Sequence, residues 1–283
     1  YTRFTENRTL EEGRQIFESR VNDAKIIYEK FGSSFFYRLC PICGEDDYIH
    51  LEKFINLYEI CQCKFCNSEY VNPVPNIEAL SYYYNVCENN RLFAELNIKR
   101  QNKDFRVDSR VDFLKGFLEK IISRKKYEKI KILEIGCNNG TFLSSLKKFI
   151  SSINAESIVD LYGIDIDQKL IKDNYDDSIN LHVLPAERLQ ELNVKFDMIL
   201  HFELIEHLQD PVAFAKSIYQ NLVKGGLTIF TTPNSLGLEV KSVGYNKTRL
   251  LAHSIFPPMH LNAFNTQNIL LFANLNNFKL RSI

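Results

Sequence analysis

The stretch that decides the fold is "ILEIGCNNGTF", residues 132–142. A short apolar run leads into a loop that carries Gly136 and Gly140, and a pattern typical of a helix follows. A strand, a glycine loop and a helix in this order predict the nucleotide-binding turn of an α/β fold. Asn138 stands where many such loops carry a third glycine, and asparagine adopts a positive φ more readily than most residues.

The loop is poorly suited to phosphate groups. The chain contains no G-x-x-x-x-G-K-[ST] loop, and the G-x-G-x-x-G pattern is broken. Glu134 would repel a pyrophosphate, whereas it could accept a hydrogen bond from an ammonium group. The next predicted strand ends at Asp165, where a carboxylate can accept hydrogen bonds from both ribose hydroxyls. The two acids favour an adenosine-like ligand with an ammonium and no phosphates, a description that S-adenosylmethionine fits.

Strand and helix patterns alternate from residue 131 and predict a doubly wound, mostly parallel sheet, a Rossmann-like α/β core. The predicted strands are residues 131–135, 159–164, 180–184, 196–201 and 227–232. Asp210 and Pro211 are expected to begin a helix that Gly225 and Gly226 end. A last helix is expected near 266–276, and residues 278–283 are expected to begin a sixth strand.

Two C-x-x-C pairs, Cys40 with Cys43 and Cys63 with Cys66, are separated by 19 residues. This spacing predicts a small zinc ribbon, because two such turns present four thiolates to one tetrahedral ion. A closed four-thiolate site is structural, since no position remains for a substrate. Disulfides or unpaired core cysteines are the alternative, and Cys61 is an alternative ligand. Reduced, metal-bound thiols favour a cytoplasmic location.

The sequence suggests four regions. They are an N-terminal helical segment over 1–35, the zinc ribbon over 36–76, a helical linker or lid over 77–129, and the cofactor-binding core over 130–283. Thr9 and Glu12 fit a capping box at the start of the first helix, and residues 54–60 read as a strand between the cysteine pairs. The chain starts without Met and stops within the sixth predicted strand, so we expect a longer protein to which further domains could be fused.

Charge argues against two classes of partner. The chain carries 35 basic and 35 acidic residues, so it has no global attraction to nucleic acid or anionic lipid. The ribbon is acidic, with three bases (Arg38, Lys53, Lys64) against six acids (Glu45, Asp46, Asp47, Glu52, Glu59, Glu69). No apolar run approaches ~18 residues, and the first residues lack a secretory signal. We therefore expect neither a nucleic-acid partner nor membrane insertion.

The ordered motifs also carry a family resemblance. LEIGCNNGTF, YGIDID, LPAERL, FDMILHFELIEHLQDP, LVKGGLTIFTTPN and PPMHLNAF occur in the order seen in class I S-adenosylmethionine-dependent methyltransferases. Residues 38–283 resemble the branch with an N-terminal CPxCG zinc ribbon, which includes sugar methyltransferases of deoxysugar, capsule and surface-glycan pathways. The resemblance implies S-adenosylmethionine as cofactor and a structural Zn²⁺ held by the four ribbon cysteines.

Carried over by position, the resemblance assigns the cofactor site. It implies that the methionine part is held by Glu134, Gly136 and Gly140, with Cys137 and Asn138 in the same loop. The ribose is expected to meet Asp165, with Ile166 beside it, and the adenine is expected to lie next to Ala186 and Glu187. The floor near the sulfonium is expected to be lined by His201, Phe202 and Glu203. Pro185 stands where many relatives have an acidic residue, so adenine recognition is expected to use backbone groups.

The chemistry suggests three catalytic candidates. Methyl transfer from a sulfonium is an in-line displacement, so the protein positions the nucleophile and can remove its proton. His260 is the first candidate base, because the last His of a His-Glu-His segment in ribbon-bearing sugar C-methyltransferases maps onto it. The Glu of that segment maps onto Met259, which leaves the methylated atom open. Packing against the final helix is the alternative role for His260. His207 and Tyr245 are further candidates, and His253 could contact substrate.

The sequence thus predicts a methyltransferase that acts on a small molecule or glycan. The acceptor is expected to be a sugar, either linked to a nucleotide or within a growing polysaccharide. One alternative is an RNA methyltransferase that uses the ribbon for recognition. Another is a non-catalytic scaffold with a decayed pocket, for which Asn138 is the one hint.

Overall fold

The computed structural model describes residues 10–89, 91–92, 105–125, 128–172, 176–237 and 254–283. The chain divides into two compact units. One combines Tyr1–Lys103 with Pro233–Leu271, and the other combines Asp104–Thr232 with Phe272–Ile283. The four regions expected from the sequence stay a prediction.

The main elements follow one another along the chain. They are α1 (Leu10–Phe31), β1 (Tyr48–Phe54), β2 (Tyr58–Cys63), β3 (Glu69–Val71), α2 (Ile77–Val86), α3 (Phe105–Arg124), β4 (Ile130–Ile135), α4 (Thr141–Ser152), β5 (Val159–Asp165), α5 (Gln168–Lys172), β6 (Asn180–Val183), β7 (Phe196–Phe202), α6 (Pro211–Asn221), β8 (Leu222–Thr231) and α7 (Asn268–Leu275).

The second unit contains a five-stranded sheet in the order β6-β5-β4-β7-β8, with every pair parallel. The chain winds outward from β4 to β6 and then returns to the other side of β4 for β7. β4 and β7 are almost wholly buried, as strands covered on both faces should be. The predicted doubly wound, Rossmann-like fold is therefore confirmed.

The core of this unit lies between the sheet and its helices. Leu114 and Leu118 of α3 and Leu143 and Leu146 of α4 are fully buried in one cluster with residues of the central strands. Amphipathic helices bury their apolar faces in this way when they cover a parallel sheet. This packing fixes the carboxyl ends of the strands, where the predicted site residues lie.

The first unit contains the predicted ribbon, an antiparallel sheet in the order β1-β2-β3. The prediction of one strand over residues 54–60 was wrong. Ile55 and Asn56 both have positive φ, at 47° and 60°, and they form the turn of the β1–β2 hairpin. The apolar run concealed the turn, although asparagine is a frequent residue in such turns.

Residues from the distant 254–264 segment join this unit. Val71 N donates to Leu261 O at 2.9 Å, and Ala263 N donates to Glu69 O at 3.0 Å, so the segment runs beside β3. The ring centroids of Phe54 and Phe256 lie 4.8 Å apart. The ribbon and this segment consequently share one core with α1.

Helix boundaries differ from the prediction in one place. Asp210 begins α6 as predicted, because its side chain accepts a hydrogen bond from Ala213 N, but α6 ends at Asn221. Gly225 and Gly226 do not end the helix; they lie within β8, where Gly225 has a φ of +79° and the pairing with β7 shifts register. A glycine pair fits a helix end and an irregular strand equally well, so the sequence alone did not separate them.

The chain's last residues also differ. α7 lies within the expected 266–276, but residues 278–283 form no strand. Thr9 of the predicted capping box lies outside the described residues. Among the helices that the structure describes, none has the length and apolar character needed to cross a bilayer.

Candidate functional site

The loop after β4 has the backbone that the sequence required. Gly136, Asn138 and Gly140 have φ values of +74°, +51° and +73°, so Asn138 does adopt the left-handed conformation. The amides of Gly136 and Cys137 donate to Ile164 O at 2.8 and 3.0 Å, which holds the loop against the end of β5. The left-handed backbone turns the chain directly into α4 and lets the loop backbone approach a ligand closely.

Close packing beneath this loop explains a further glycine. A Cβ on Gly163 would lie 2.6 Å from Leu181 Cδ2 and 2.8 Å from both Cys137 Sγ and Leu143 Cδ1. Cys137 is 4% exposed. Its thiol therefore packs against β5 and is part of the loop's support.

Asp165 is oriented by the two loops that flank it. One carboxylate oxygen accepts from Asn138 N at 2.8 Å, and the other accepts from Asp167 N at 2.9 Å. Burial raises the pKa of Asp165, and these backbone hydrogen bonds oppose that shift. Each oxygen still has capacity for another donor, as binding a ribose diol would require.

Glu134 lies at the end of β4 and is 4% exposed. Its Oε2 has no hydrogen-bond partner among the residues that the structure describes. Burial raises the pKa of Glu134 to about 8; the positive charge of Arg110 opposes this shift and the negative charge of Asp165 adds to it. A buried carboxylate without a partner is costly, and a cationic ligand would remove that cost. The residue fits the ammonium group of S-adenosylmethionine.

Arg110 is a site residue that the sequence reasoning missed. It lies on α3, and its guanidinium carbon is 4.4 Å from the centroid of the Phe202 ring. Its positive charge favours the ionised form of Glu134 and opposes the effect of burial on the pKa of that carboxyl. An arginine suits a carboxylate, including the one in the methionine part of the cofactor. A single arginine on a helix has no local sequence signature, so no signal could have identified it.

The last two residues of β7 point to the two faces of the sheet. Phe202 packs against Phe142 of α4, with ring centroids 5.0 Å apart. His201 is stacked on Phe230 at 4.7 Å and meets the edge of Phe214 at 5.1 Å. Burial lowers the pKa of His201 to about 3, so its ring is neutral. The structure thus brings Phe202 near the glycine loop, whereas the ring of His201 forms part of the core.

The predicted adenine neighbours lie after β6. Ala186 and Glu187 begin a short 3₁₀ helix, and Leu184 N donates to Asp165 O at 3.0 Å, which connects this turn to β5. Ile166, beside Asp165, is 59% exposed. An exposed apolar side chain at this edge is available to cover an aromatic base.

A second buried carboxylate lies close to β7. Glu203 has a φ of +52°, and a 3₁₀ turn over Ile205–His207 follows it. Glu206 accepts from Thr232 Oγ1 at 2.9 Å, and burial together with the charge of Glu203 raises its pKa to about 8. His207 Nε2 lies 3.8 Å from Glu206 Oε1. The sequence reasoning selected His207 but missed Glu206, although both belong to the quoted IEH run.

The four predicted metal ligands converge in the first unit. The Sγ atoms of Cys40 and Cys66 lie 3.5 Å apart, as do those of Cys43 and Cys63, and all four lie within 4.8 Å of one another. Thiolates on a tetrahedral zinc ion would lie about 3.8 Å apart. The cluster therefore fits one tetrahedral ion, with no position open for a substrate.

The described cysteines form no disulfide, and the alternative of unpaired core cysteines stays a prediction. All seven cysteines are free, which excludes the disulfide reading for this structure. Cys61 Sγ lies 3.7 Å from Asn72 O and 3.7 Å from His50 Nδ1 and is not a member of the four-cysteine cluster. Cys61 and Cys63 are two positions apart on β2 and so share a face. Cys63 begins the turn that Asn67 N closes by donating to Cys63 O at 3.0 Å, and its sulfur lies in the four-cysteine cluster.

The predicted base lies in a tight turn of the first unit. His260 is 6% exposed; its N donates to Phe256 O at 2.9 Å, and its O accepts from Phe256 N at 3.2 Å. The other two candidates in this part of the chain, Tyr245 and His253, lie outside the described residues.

Part of the chain is similar in sequence to known methyltransferases. The chain is 28% identical over 120 residues to the mitochondrial ubiquinone biosynthesis O-methyltransferase of Arabidopsis thaliana, covering 40% of this chain and 35% of that protein. It is 31% identical over 110 residues to the ubiquinone biosynthesis O-methyltransferase of Cereibacter sphaeroides, covering 38% and 43%. The chain thus spans less than half the length of these relatives.

A solved structure and a family comparison agree with these relatives. The plantazolicin methyltransferase in complex with a pentazolic desmethylPZN analog and SAH has a TM-score of 0.51 at 16% identity, covering 70% of this chain and 74% of that one. At this identity the solved structure supports the fold of the chain. The family described as "Methyltransferase domain" matches residues 90–283, more than half of the chain, and the chain belongs to this methyltransferase family.

Proposed function

We propose that this chain transfers the methyl group of S-adenosylmethionine to a small molecule or glycan, and that the acceptor is a sugar, linked to a nucleotide or within a surface polysaccharide. The observation that carries the proposal is the buried carboxylate of Glu134, whose Oε2 lacks a partner among the described residues. A second carboxylate, Asp165, ends the neighbouring parallel strand. Two acids at one sheet edge suit an ammonium and a diol, and they disfavour phosphates.

The protein's own groups would bind and orient the cofactor. When bound, S-adenosylmethionine supplies a methyl group on a positively charged sulfur. Glu134 would accept from its ammonium group, Arg110 would meet its carboxylate, and Asp165 would accept from its ribose. The stacked core around His201 and the left-handed glycine loop keep these groups in place. Positioning of this kind contributes most of the catalysis in an in-line displacement.

The nature of the acceptor rests on resemblance and on relatives. Sugar methyltransferases with a CPxCG ribbon resemble residues 38–283, and the curated relatives are named O-methyltransferases. A hydroxyl acceptor requires loss of a proton, so a base at His260 would serve it. We therefore propose a hydroxyl of a sugar as the acceptor, with His260 as base and His207 and Tyr245 as further candidates to contact it.

Charge on the ribbon argues against an RNA acceptor. Each of its three cations already has a partner in the structure. Arg38 donates to Val71 O, Leu261 O and Asn262 Oδ1, Lys53 pairs with Glu59 at 3.1 Å, and Lys64 pairs with Asp47 at 2.8 Å. A phosphate backbone requires accessible positive charge. The six acids of the ribbon would oppose it.

We also propose that the four ribbon cysteines hold a structural Zn²⁺. The sulfur positions fit a tetrahedral ion, and thiolates are the ligands that zinc prefers in closed sites. Such a site would stabilise a sheet too small to form a core of its own.

Calorimetry with S-adenosylmethionine tests the central claim. The unchanged chain should bind the ligand, and Glu134→Gln, which removes the charge and keeps the shape, should bind it at least tenfold more weakly. Glu156→Gln, at an exposed position between α4 and β5, is the control for general effects of charge. Absence of detectable binding at millimolar ligand would favour the scaffold alternative.

Mass spectrometry identifies the acceptor once binding of S-adenosylmethionine has been detected. The chain and the cofactor are mixed with nucleotide-linked sugars, a phenolic quinone precursor or RNA, and the acceptor is the one that gains one methyl group.

A further inference from the structure

We propose that Ser68 and Asn268 are positioning residues that couple the four-cysteine site to the segment carrying His260. The proposal rests on the function above only for the role of His260. The coupling itself depends on contacts within the first unit.

The contacts form a continuous chain of buried groups. Cys66 Sγ lies 3.1 Å from Ser68 Oγ, and Asn268 Nδ2 donates to the same Oγ at 3.0 Å. Ser68 is 0% exposed and Asn268 is 3% exposed. Water therefore does not compete for these hydrogen bonds, and leaving one of the groups unpaired would be costly.

The donors and acceptors fit a metal-bound thiolate. A hydroxyl has one proton and two acceptor positions. When Cys66 is a thiolate, Ser68 would donate its proton to Cys66 Sγ and accept from Asn268 Nδ2. A metal ligand supported by such an outer hydrogen bond keeps its orientation, and loss of the supporting group typically weakens metal binding.

Asn268 connects this chain to the distant segment. Its second amide proton goes to Ala263 O at 2.9 Å, and its Oδ1 accepts from Asn265 N at 2.8 Å. The side chain of Asn268 thus donates to Ser68 and Ala263 and accepts from Asn265. Asn268 cannot move without disturbing both.

The segment it holds is the one that carries the predicted base. Leu261 O accepts from Val71 N, and Ala263 N donates to Glu69 O, so residues 261–263 run along β3. β3 follows Ser68 directly in sequence. The His260 turn is therefore anchored to the cysteine site twice, through the β3 pairing and through Asn268.

Cobalt-loaded and zinc-loaded full-length chains test the coupling without any methyl-transfer measurement. Ser68→Ala should release metal to a chelator about 10–100-fold faster. Asn268→Ala, which touches no cysteine among the contacts above, should also speed release and shift the thiolate-to-cobalt absorption band. Both variants should increase amide hydrogen exchange in residues 259–265. Ser68→Thr, which keeps the hydroxyl, should restore all three values.

The double variant and a matched control decide the interpretation. If the two residues act in one chain, the double variant should release metal no faster than Ser68→Ala. Asn276→Ala is the control, because this buried asparagine donates to Phe272 O within its own turn. Asn268→Asp keeps the side-chain shape and replaces Asn268→Ala if that variant does not fold. An unchanged cobalt spectrum and release rate in the Asn268 variants would overturn the proposal, as would additive effects. Failure of cofactor binding would instead affect the proposed function alone.

Discussion

The backbone amide of Asn138 donates a 2.8 Å hydrogen bond to the carboxylate of Asp165, and this bond joins the glycine loop after β4 to the end of β5. Asn138 has a φ of +51° in the loop that makes this bond. The residue that departs from the usual glycine therefore keeps the backbone geometry and helps to orient the predicted ribose acceptor.

This hydrogen bond predicts that two substitutions at position 138 differ in their effect on stability and cofactor binding. Asn138→Gly should keep the loop and change the affinity for S-adenosylmethionine less than threefold, because glycine adopts positive φ without strain. Asn138→Val should lower the free energy of unfolding by about 1–2 kcal/mol, since a β-branched residue is strained there, and should weaken binding by disturbing Asp165. Calorimetry and thermal unfolding measure both effects. Equal affinity in the two variants would show that the amide of residue 138 does not orient Asp165.

The buried Glu134 predicts how stability depends on pH in the absence of cofactor. Its pKa rises on folding from 4.5 to about 8, so the folded state holds the proton more tightly than the unfolded chain. The contribution to stability is fully present below pH 4.5 and is lost as pH rises toward 8, at up to about 1.4 kcal/mol per pH unit. Glu134→Gln should reduce this slope.

Glu206 limits the size of that reduction. Its pKa is also raised to about 8, so it should still contribute a slope of the same sign in Glu134→Gln. Chemical unfolding at pH 5, 6, 7 and 8 provides the measurement, and the exposed Glu156→Gln serves as the control. An unchanged slope in Glu134→Gln would mean that residue 134 is ionised in the folded protein throughout this range.

We expect substitution of Arg110 to weaken binding of S-adenosylmethionine through loss of both its charge and its geometry. Arg110→Ala should weaken S-adenosylmethionine binding by about 1.5–3 kcal/mol, the usual contribution of a hydrogen bond to a charged group. Arg110→Lys should recover only part of this, because lysine lacks the planar guanidinium that packs on Phe202 and grips a carboxylate.

The control for Arg110 lies one turn further along α3. Lys115 pairs at the surface with Asp112, so Lys115→Ala removes a positive charge from the same helix without touching Glu134. Isothermal calorimetry at constant ionic strength compares the three variants. Similar losses in Lys115→Ala and Arg110→Ala would point to a general electrostatic effect and against a direct contact.

Local patterns predicted much of this fold, because they depend on neighbours in sequence. The five parallel strands, the start of α6 at Asp210 and the two cysteine pairs all have short-range signatures. The features that were missed depend on contacts between segments distant in sequence, or on sequence signals that fit two structures equally well. The 261–263 segment joins β3 only in the folded chain, Arg110 reaches the site from a helix without a motif, and Gly225 with Gly226 fits a strand as well as a helix end.

The position of His260 in the fold predicts how its substitution affects turnover and cofactor affinity. Its backbone is fixed by reciprocal hydrogen bonds with Phe256, and its side chain is buried, so His260→Gln should preserve the turn. If His260 removes the acceptor proton, this variant should lose about 10²–10⁴-fold in kcat, the usual contribution of a general base. Its affinity for S-adenosylmethionine should change less than threefold, because no part of the predicted cofactor site includes it. His207→Gln is the companion variant and should retain more activity if His207 only packs beside Glu206. Turnover in His260→Gln equal to that of the unchanged enzyme, with equal affinity for the cofactor, would reduce His260 to a packing residue and move the search for the base to Tyr245.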